Sequence, residues 1–183
     1  MSNIWFTSDL HLGHDKDFLY QPRGFQNIWE HNYTIVSNWN AVVGDEDDVY
    51  VLGDLMLGKD EGLSYIHQLR GQLHVICGNH DTTRRRAQYE ESYNIVEVVD
   101  AKFLRIGHYH FFLSHYPTLC SNFDVSKPLK ARMINLCGHL HTQNPFSDWD
   151  KGLIYHVELD AHGNRPVEYE EIMKDIRLQL GES

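Results

Sequence analysis

The chain has little with which to staple a fold. Its 183 residues hold three cysteines, Cys77, Cys120 and Cys137, each in or near an apolar run. An odd, sparse set excludes a disulfide framework and suits reduced thiols in the cytoplasm. No apolar stretch is long enough to span a bilayer. The opening "MSNIWFTSDLHLGH" has no basic segment ahead of an apolar core, so it does not read as a secretory signal. Positive charge is scarce as well: 16 Lys and Arg stand against 26 Asp and Glu, a net charge of −10. That balance excludes a surface coating extended nucleic acid, because such binding neutralises many phosphates with Lys and Arg. A small phosphorylated ligand is still compatible if a site supplies its own positive charge. Repeats, low-complexity tracts and linkers are missing too, so residues 1–183 read as a single domain.

What the chain does have is histidine, 13 of them. Histidine is the commonest metal ligand and a frequent acid–base group, so their positions carry the information. Five short apolar runs end alike. "NIWFT" runs into Ser8-Asp9-Leu10-His11, "DVYVL" into Gly53-Asp54, and "LHVIC" into Gly78-Asn79-His80-Asp81. "HFFLS" runs into His115, and "RMINLC" into Gly138-His139-Leu140-His141. Each run has the continuous β-branched and aromatic character of a buried strand, and each stops at a residue able to bind metal. Ligands in α/β sheets sit beyond the carboxyl ends of the strands. If the five ends meet, their side chains form one cluster.

Helical patterns alternate with these runs. From Ile28, packable residues recur at Asn32, Ile35, Val36, Trp39, Val42 and Val43, with Asn27 and Glu30 as a capping box. "GLSYIHQLRG" predicts a second helix ending at Gly71, and "TRRRAQYEES" a third. "NIVEVV", "AKFLRI" and "HYHFFLS" are closely spaced strands, with Gly107 turning between the last two. "GLIYHVELD" predicts a further strand, and "EYEEIMKDIRLQL" a closing helix with Ile172, Ile176 and Leu180 on one face. The front is βαβ-like and the middle rich in hairpins. This predicts an α/β sandwich of two mixed sheets rather than one parallel sheet.

The candidate ligands are Asp9, His11, Asp54, Asn79, His115, His139 and His141. Carboxylate and amide oxygens mixed with imidazoles suit Mn²⁺, Fe²⁺ or Zn²⁺ better than Ca²⁺. No cysteine is in the set, which argues against structural zinc. Seven ligands are too many for one ion and suit two, with one carboxylate shared. Paired metals about 3.5–4 Å apart are the usual arrangement for in-line displacement at phosphorus. Two divalent ions bring four positive charges and the two aspartates return two negative ones. The centre therefore keeps about two positive charges in an otherwise acidic protein, enough to draw in a phosphate and deprotonate a bridging water.

"DLH", "GD", "GNHD", the lone His115 and "GHLH", in this order, resemble the calcineurin-like metallophosphoesterase superfamily, from about Ile4 to the strand ending near Asp160. The chain looks most like the small uncapped bacterial and phage members. The resemblance implies a four-layer αββα sandwich, two mixed β-sheets flanked by helices, with no cap domain. It implies a dinuclear site: Asp9, His11, Asp54 and His141 on one ion, and Asp54, Asn79, His115 and His139 on the other, with Asp54 bridging. His80 matches the catalytic histidine that faces the phosphate, and Asp81 the acid that orients it. The implied reaction is hydrolysis of a phosphodiester or nucleotide-type substrate by in-line attack of a metal-bridging hydroxide. Manganese is the first expectation, with Fe²⁺, Zn²⁺, Ni²⁺ or Mg²⁺ as alternatives. Leu57 stands where purple acid phosphatases carry a tyrosine ligand, and Cys77 and Asp81 where Ser/Thr protein phosphatases carry Arg and Glu. Both departures disfavour those classes.

Two other functions stay open: a phosphomonoesterase of the same mechanism, and a non-catalytic scaffold on the same fold, for which broken ligand positions are expected. His14, Arg84 and Arg23 are candidate phosphate contacts, beside which His14 also reads as a solvated loop residue and Arg84 as part of a largely solvated helical run. Trp5, Trp29 and Trp39 suit core or helix-packing positions, Trp149 a polar loop, and Cys77 and Cys137 core packing. Gly78 reads as a bend. The remaining histidines read as surface or core.

Overall fold

The computed structural model describes residues 2–181 except 59, 121–123, 125, 149, 150 and 152. Trp149 thus lies outside the described residues. Four parallel strands, β1 (Ile4–Thr7), β2 (Asp48–Leu52), β3 (Gln72–Ile76) and β4 (Ile95–Val99), form the first sheet in the order β4-β3-β2-β1. The second sheet runs β5 (Lys102–Ile106), β6 (Tyr109–Leu113), β7 (Met133–Cys137) and β8 (Ile154–His156). Its β5–β6 pair is an antiparallel hairpin and its other pairs are parallel. A two-residue strand, β9 (Val167–Glu168), closes the first sheet antiparallel to β1.

Strands buried on both faces read as continuous apolar runs. Here alternate residues serve different cores. Trp5, Val49, Val51, Leu73 and Val75 face one apolar cluster with Ile35, Val36 and Trp39 of the helix α2 (Ile28–Val42), which follows the four-residue α1 (Asp17–Tyr20). Phe6, Tyr50, Leu52 and Ile76 face the second cluster, shared with Phe111, Leu113, Ile134 and Leu136 of the other sheet. After α3 (Glu61–Ile66) and α4 (Thr83–Glu90), the last helix, α5 (Tyr169–Gln179), adds Ile172, Met173 and Ile176 to that second cluster. The two mixed sheets with packed helices are the expected α/β fold.

Local signals agree with the structure at several ends. Asn27 caps α2 by accepting from the Glu30 amide at 2.9 Å, although Glu30 returns its bond to the Gln26 amide at 2.8 Å. Three expectations differ from the structure. The helix expected to reach Gly71 stops at Ile66, where the amides of Gln68 and Leu69 turn to carbonyls three residues back. Trp29 is not packed: it is 66% exposed, its ring stacked on Tyr33 at 5.6 Å. The run "GLIYHVELD" gives only three strand residues. Beyond His156 the chain crosses between the sheets, pairing Glu158 with Ser8, and enters a 3-10 turn over Leu159–Ala161. That crossing brings Asp160 beneath the loop after β1.

Candidate metal centre

The loops after β1, β2, β3, β6 and β7 converge, and their backbones are unusual. Among the described residues six non-glycine positions have positive φ: Asp9, His11, Asp54, His139, His141 and Asn164. Five of these six are predicted ligands. Left-handed conformation costs a non-glycine residue about 1–2 kcal/mol, so such residues cluster where function over-determines the backbone. Gly78 takes part differently. Its φ is not in that region, and a Cβ placed there would sit 2.3 Å from Asp54 Oδ1. The motif needs glycine because a carboxylate lies against it, a reason added to the bend that the Asp81 amide closes on the Gly78 carbonyl at 3.3 Å.

The donor atoms form two groups around one oxygen. His11 Nε2 lies 3.2 Å from His141 Nε2, 3.8 Å from Asp9 Oδ1 and 3.7 Å from Asp54 Oδ2. His141 Nε2 is 3.6 Å from Asp9 Oδ1. On the other side His115 Nε2 lies 3.6 Å from Asp54 Oδ2, 2.9 Å from Asn79 Oδ1 and 3.2 Å from His139 Nδ1. Asp9 also lies within reach of Asp54 and His115, so the groups share an acidic seam. Asp9 Oδ1 is buried without a hydrogen-bond partner. A buried carboxylate oxygen with no donor is costly, and a cation at that point satisfies it. Donor type, spacing and this orphaned oxygen all fit divalent metal.

Supporting contacts aim the ligands. His115 Nδ1 donates to the Leu52 carbonyl at 2.8 Å, which leaves Nε2 as the lone-pair nitrogen. His141 Nδ1 lies 3.1 Å from Asp160 Oδ2 and thereby presents Nε2 to the cluster. The His139 amide donates to Asp9 Oδ2 at 2.9 Å. Burial pushes the Asp9 carboxyl up to about 6, against the pull of His141 and His115. Burial, with nearby His141 and Arg23, holds His11 far below the ordinary imidazole range, and burial and His115 lower His139. Both imidazoles are thus neutral and ligand-competent at neutral pH. Burial works against the charge of His141 and Asp160, but their mutual hydrogen bond and further charge contacts outweigh it, raising His141 and lowering Asp160.

All seven predicted ligands come together, and His80 and His14 share a cavity of about 630 Å³ with five of them. The His80 ring is half exposed, with Nε2 3.9 Å from Asp54 Oδ2. Three expectations are corrected. Asp81 does not touch the His80 imidazole: its Oδ2 accepts the amides of Asp54 and Gly78, both at 2.8 Å, and its Oδ1 the Tyr89 hydroxyl at 2.8 Å. Arg23 is buried away from the cavity, donating to Asp160 at 2.7 and 3.1 Å and to the Asp9 carbonyl at 2.8 Å. Arg84 is exposed and paired with Asp60 at 2.8 and 3.0 Å, in a separate hollow. Asp160 is a supporting residue the sequence reading missed, whereas Arg23 is singled out there, but for a phosphate contact rather than this supporting role. Asp160 had a signal, since like the ligands it follows an apolar strand run.

The double-sheet frame and the strand-end donors define a metallophosphoesterase type of protein. A family model described as a calcineurin-like phosphoesterase superfamily domain matches residues 3–157. The chain belongs to the calcineurin-like phosphoesterase superfamily, whose members are metal-dependent phosphoesterases. It is 32% identical over 186 residues to the gene 66 protein of Mycobacterium phage L5, covering 89% of each chain. It is 31% identical over 181 residues to a Methanocaldococcus jannaschii protein, covering 95% of this chain and 91% of that one. Among solved structures, protein AQ665 of Aquifex aeolicus shares the fold with a TM-score of 0.70 at 21% identity, covering 95% of this chain and 99% of that one. Yfce, a phosphoesterase from E. coli, superposes with a TM-score of 0.50 at 15% identity, covering 85% and 78%.

Proposed function

We propose that the chain hydrolyses a phosphodiester or nucleotide-type substrate at a site holding two divalent cations, manganese first among them. Asp9, His11, Asp54 and His141 would hold one ion, and Asp54, Asn79, His115 and His139 the other. When bound, the pair supplies Lewis-acid stabilisation of the phosphoryl oxygens and activation of water. The observation that carries this reading is Asp54 Oδ2, which lies 3.7 Å from His11 Nε2 and 3.6 Å from His115 Nε2 and so belongs to both groups. Every ligand position being filled argues against a scaffold.

The protein's own groups do the rest. His80 lines the cavity with its ring reachable from solvent, where it faces the phosphate and protonates the departing oxygen. Its backbone is clamped on both sides: the amide donates to Asp54 Oδ1 at 2.9 Å, and the carbonyl accepts from Arg85. That clamp fixes the His80 backbone relative to Asp54, and position is much of what such catalysis needs. All three cysteines are free, which suits a reducing cytoplasm, and no helix among the described residues is long and apolar enough to cross a membrane.

The test is a His80→Ala variant assayed on bis-p-nitrophenyl phosphate after Mn²⁺ loading. Turnover falls by about 10²–10⁴-fold, as for loss of a general acid, while two metals per chain are retained. Unchanged turnover removes His80 from the chemistry; one metal per chain in the wild type removes the dinuclear reading.

A further inference from the structure

The cavity has two unlike walls. One is the donor cluster with His80. The other is apolar: Phe18, Leu19 and Pro22 from the segment around α1, and Leu57 from the loop after β2. Phe18 stands out because it is 73% exposed while its neighbours Leu19 and Tyr20 are buried and anchor the short helix. An exposed phenyl ring at the mouth of a polar site gains from being covered. It is not free to lie anywhere, since the His14 ring packs edge-on against it at 5.7 Å and 81°. His14 Nδ1 is itself buried without a partner.

Three arginines that a larger anion could use are engaged elsewhere. Arg23 is tied to Asp160, Arg84 to Asp60, and Arg85 to the carbonyls of His80 and Gly58. Among the described residues lining the cavity none is Lys or Arg. Beyond the phosphate, the wall that remains offers apolar contact, and the volume of about 630 Å³ admits a nucleotide-sized ligand.

We infer that Phe18 is a specificity-determining residue: the substrate is a phosphoester carrying a flat aromatic ring, such as a nucleobase, which lies on the Phe18 face while its phosphate meets the donor cluster. This rests on the phosphoesterase reading and adds the class of the organic group. Stacking of a base on an aromatic side chain is sequence-tolerant and survives without hydrogen-bond readout, so any planar ring of suitable size qualifies.

Calorimetry with two non-hydrolysable ligands of the same head group isolates the ring. On the Mn²⁺-loaded protein, phenylphosphonate binds about tenfold tighter than methylphosphonate. Phe18→Ala removes that advantage and leaves methylphosphonate binding within about twofold, while Phe18→Trp restores it. Equal binding of the two ligands by the wild type, or an equal loss of both in Phe18→Ala, overturns the assignment. Turnover of bis-p-nitrophenyl phosphate is measured in parallel. Its absence defeats the phosphodiesterase reading, while the binding ratio still decides the role of Phe18.

Discussion

The carboxylate of Asp81 accepts the backbone N–H of Asp54 at 2.8 Å. In return Asp54 Oδ1 accepts the backbone N–H of His80, so the loops after β2 and β3 hold each other in register. The bond leaves Asp54 Oδ2 turned toward His11, His115 and His80. Asp81 therefore acts on the centre through the backbone of Asp54. Asp81→Ala strands two amides and the Tyr89 hydroxyl, and about 3 kcal/mol of stability is lost. Tyr89→Phe removes one of these bonds and costs about 1 kcal/mol. Urea melts of both variants check this. A normal melt with lowered kcat in Asp81→Ala would restore the role of orienting His80.

Gly78 supplies a second, steric prediction. An added Cβ meets Asp54 Oδ1 at 2.3 Å and the Asp54 amide nitrogen at 2.9 Å. The first is a side-chain oxygen that the His80 amide holds in place and the second is backbone, so the loop after β3 must move off the loop after β2. Gly78→Ala separates Asn79 from Asp54 and lowers metal content to one ion or fewer per chain, with at least a hundredfold loss of turnover. Elemental analysis after Mn²⁺ loading gives the answer, and full occupancy shows that the loop yields without harm.

The third concerns Asp160 and Arg23, 137 residues apart in sequence and joined at 2.7 Å. Asp160 fixes His141, and Arg23 holds both Asp160 and the Asp9 carbonyl. Asp160→Asn weakens the aim of His141 and lowers metal affinity by about 10–100-fold, the usual cost of losing an outer partner of a ligating histidine. Arg23→Ala leaves the largely buried Asp160 without its cation and destabilises the fold by about 3 kcal/mol. Both variants leave one charge of a buried pair uncompensated and melt lower, so Mn²⁺ titrations well below both melting temperatures read the loss of affinity separately from the loss of stability.

The parts of this site legible in the sequence share one physical cause. A buried parallel strand must be apolar on both faces, so the point where apolarity stops marks the strand end, and the residue standing there marks the site. Asp9, Asp54, Asn79, His115 and His139 are legible in that way. The partner of Asp81 is not, because a carboxylate in a turn can bond any amide brought near it, and Asp54 is brought near only by strand pairing. Arg23 reads as a loop cation until the crossing after β8 sets Asp160 against it. Trp29 sits at a helical position that suits packing, yet α2 turns it outward and buries His31 and Asn32 instead. The two-residue β9 and four-residue α1 carry too little periodicity to be seen.

The last prediction is a pH dependence with a definite sign. Burial raises Asp9 from 3.8 to about 6 in the metal-free protein. A carboxyl whose folded pKa lies above its unfolded one binds more protons when folded. Its contribution to stability is fully present below about pH 4 and is lost as the pH rises through about 6. The penalty above that window is about 3 kcal/mol, the two-unit shift at 1.36 kcal/mol per unit. An amide at this position resembles the protonated acid and escapes the penalty. Metal-free Asp9→Asn is therefore more stable than metal-free wild type at pH 7–8, by up to about 3 kcal/mol. The advantage shrinks as the pH falls, vanishing near pH 4. Mn²⁺ reverses the order at neutral pH, because the wild-type carboxylate then has the cation that its unpartnered oxygen lacks, whereas the neutral amide of the variant binds that cation weakly. Chemical denaturation with and without metal at pH 4, 6 and 8 tests all three statements. A metal-free Asp9→Asn variant less stable than wild type at pH 8 would show that the carboxylate is already satisfied by the protein alone.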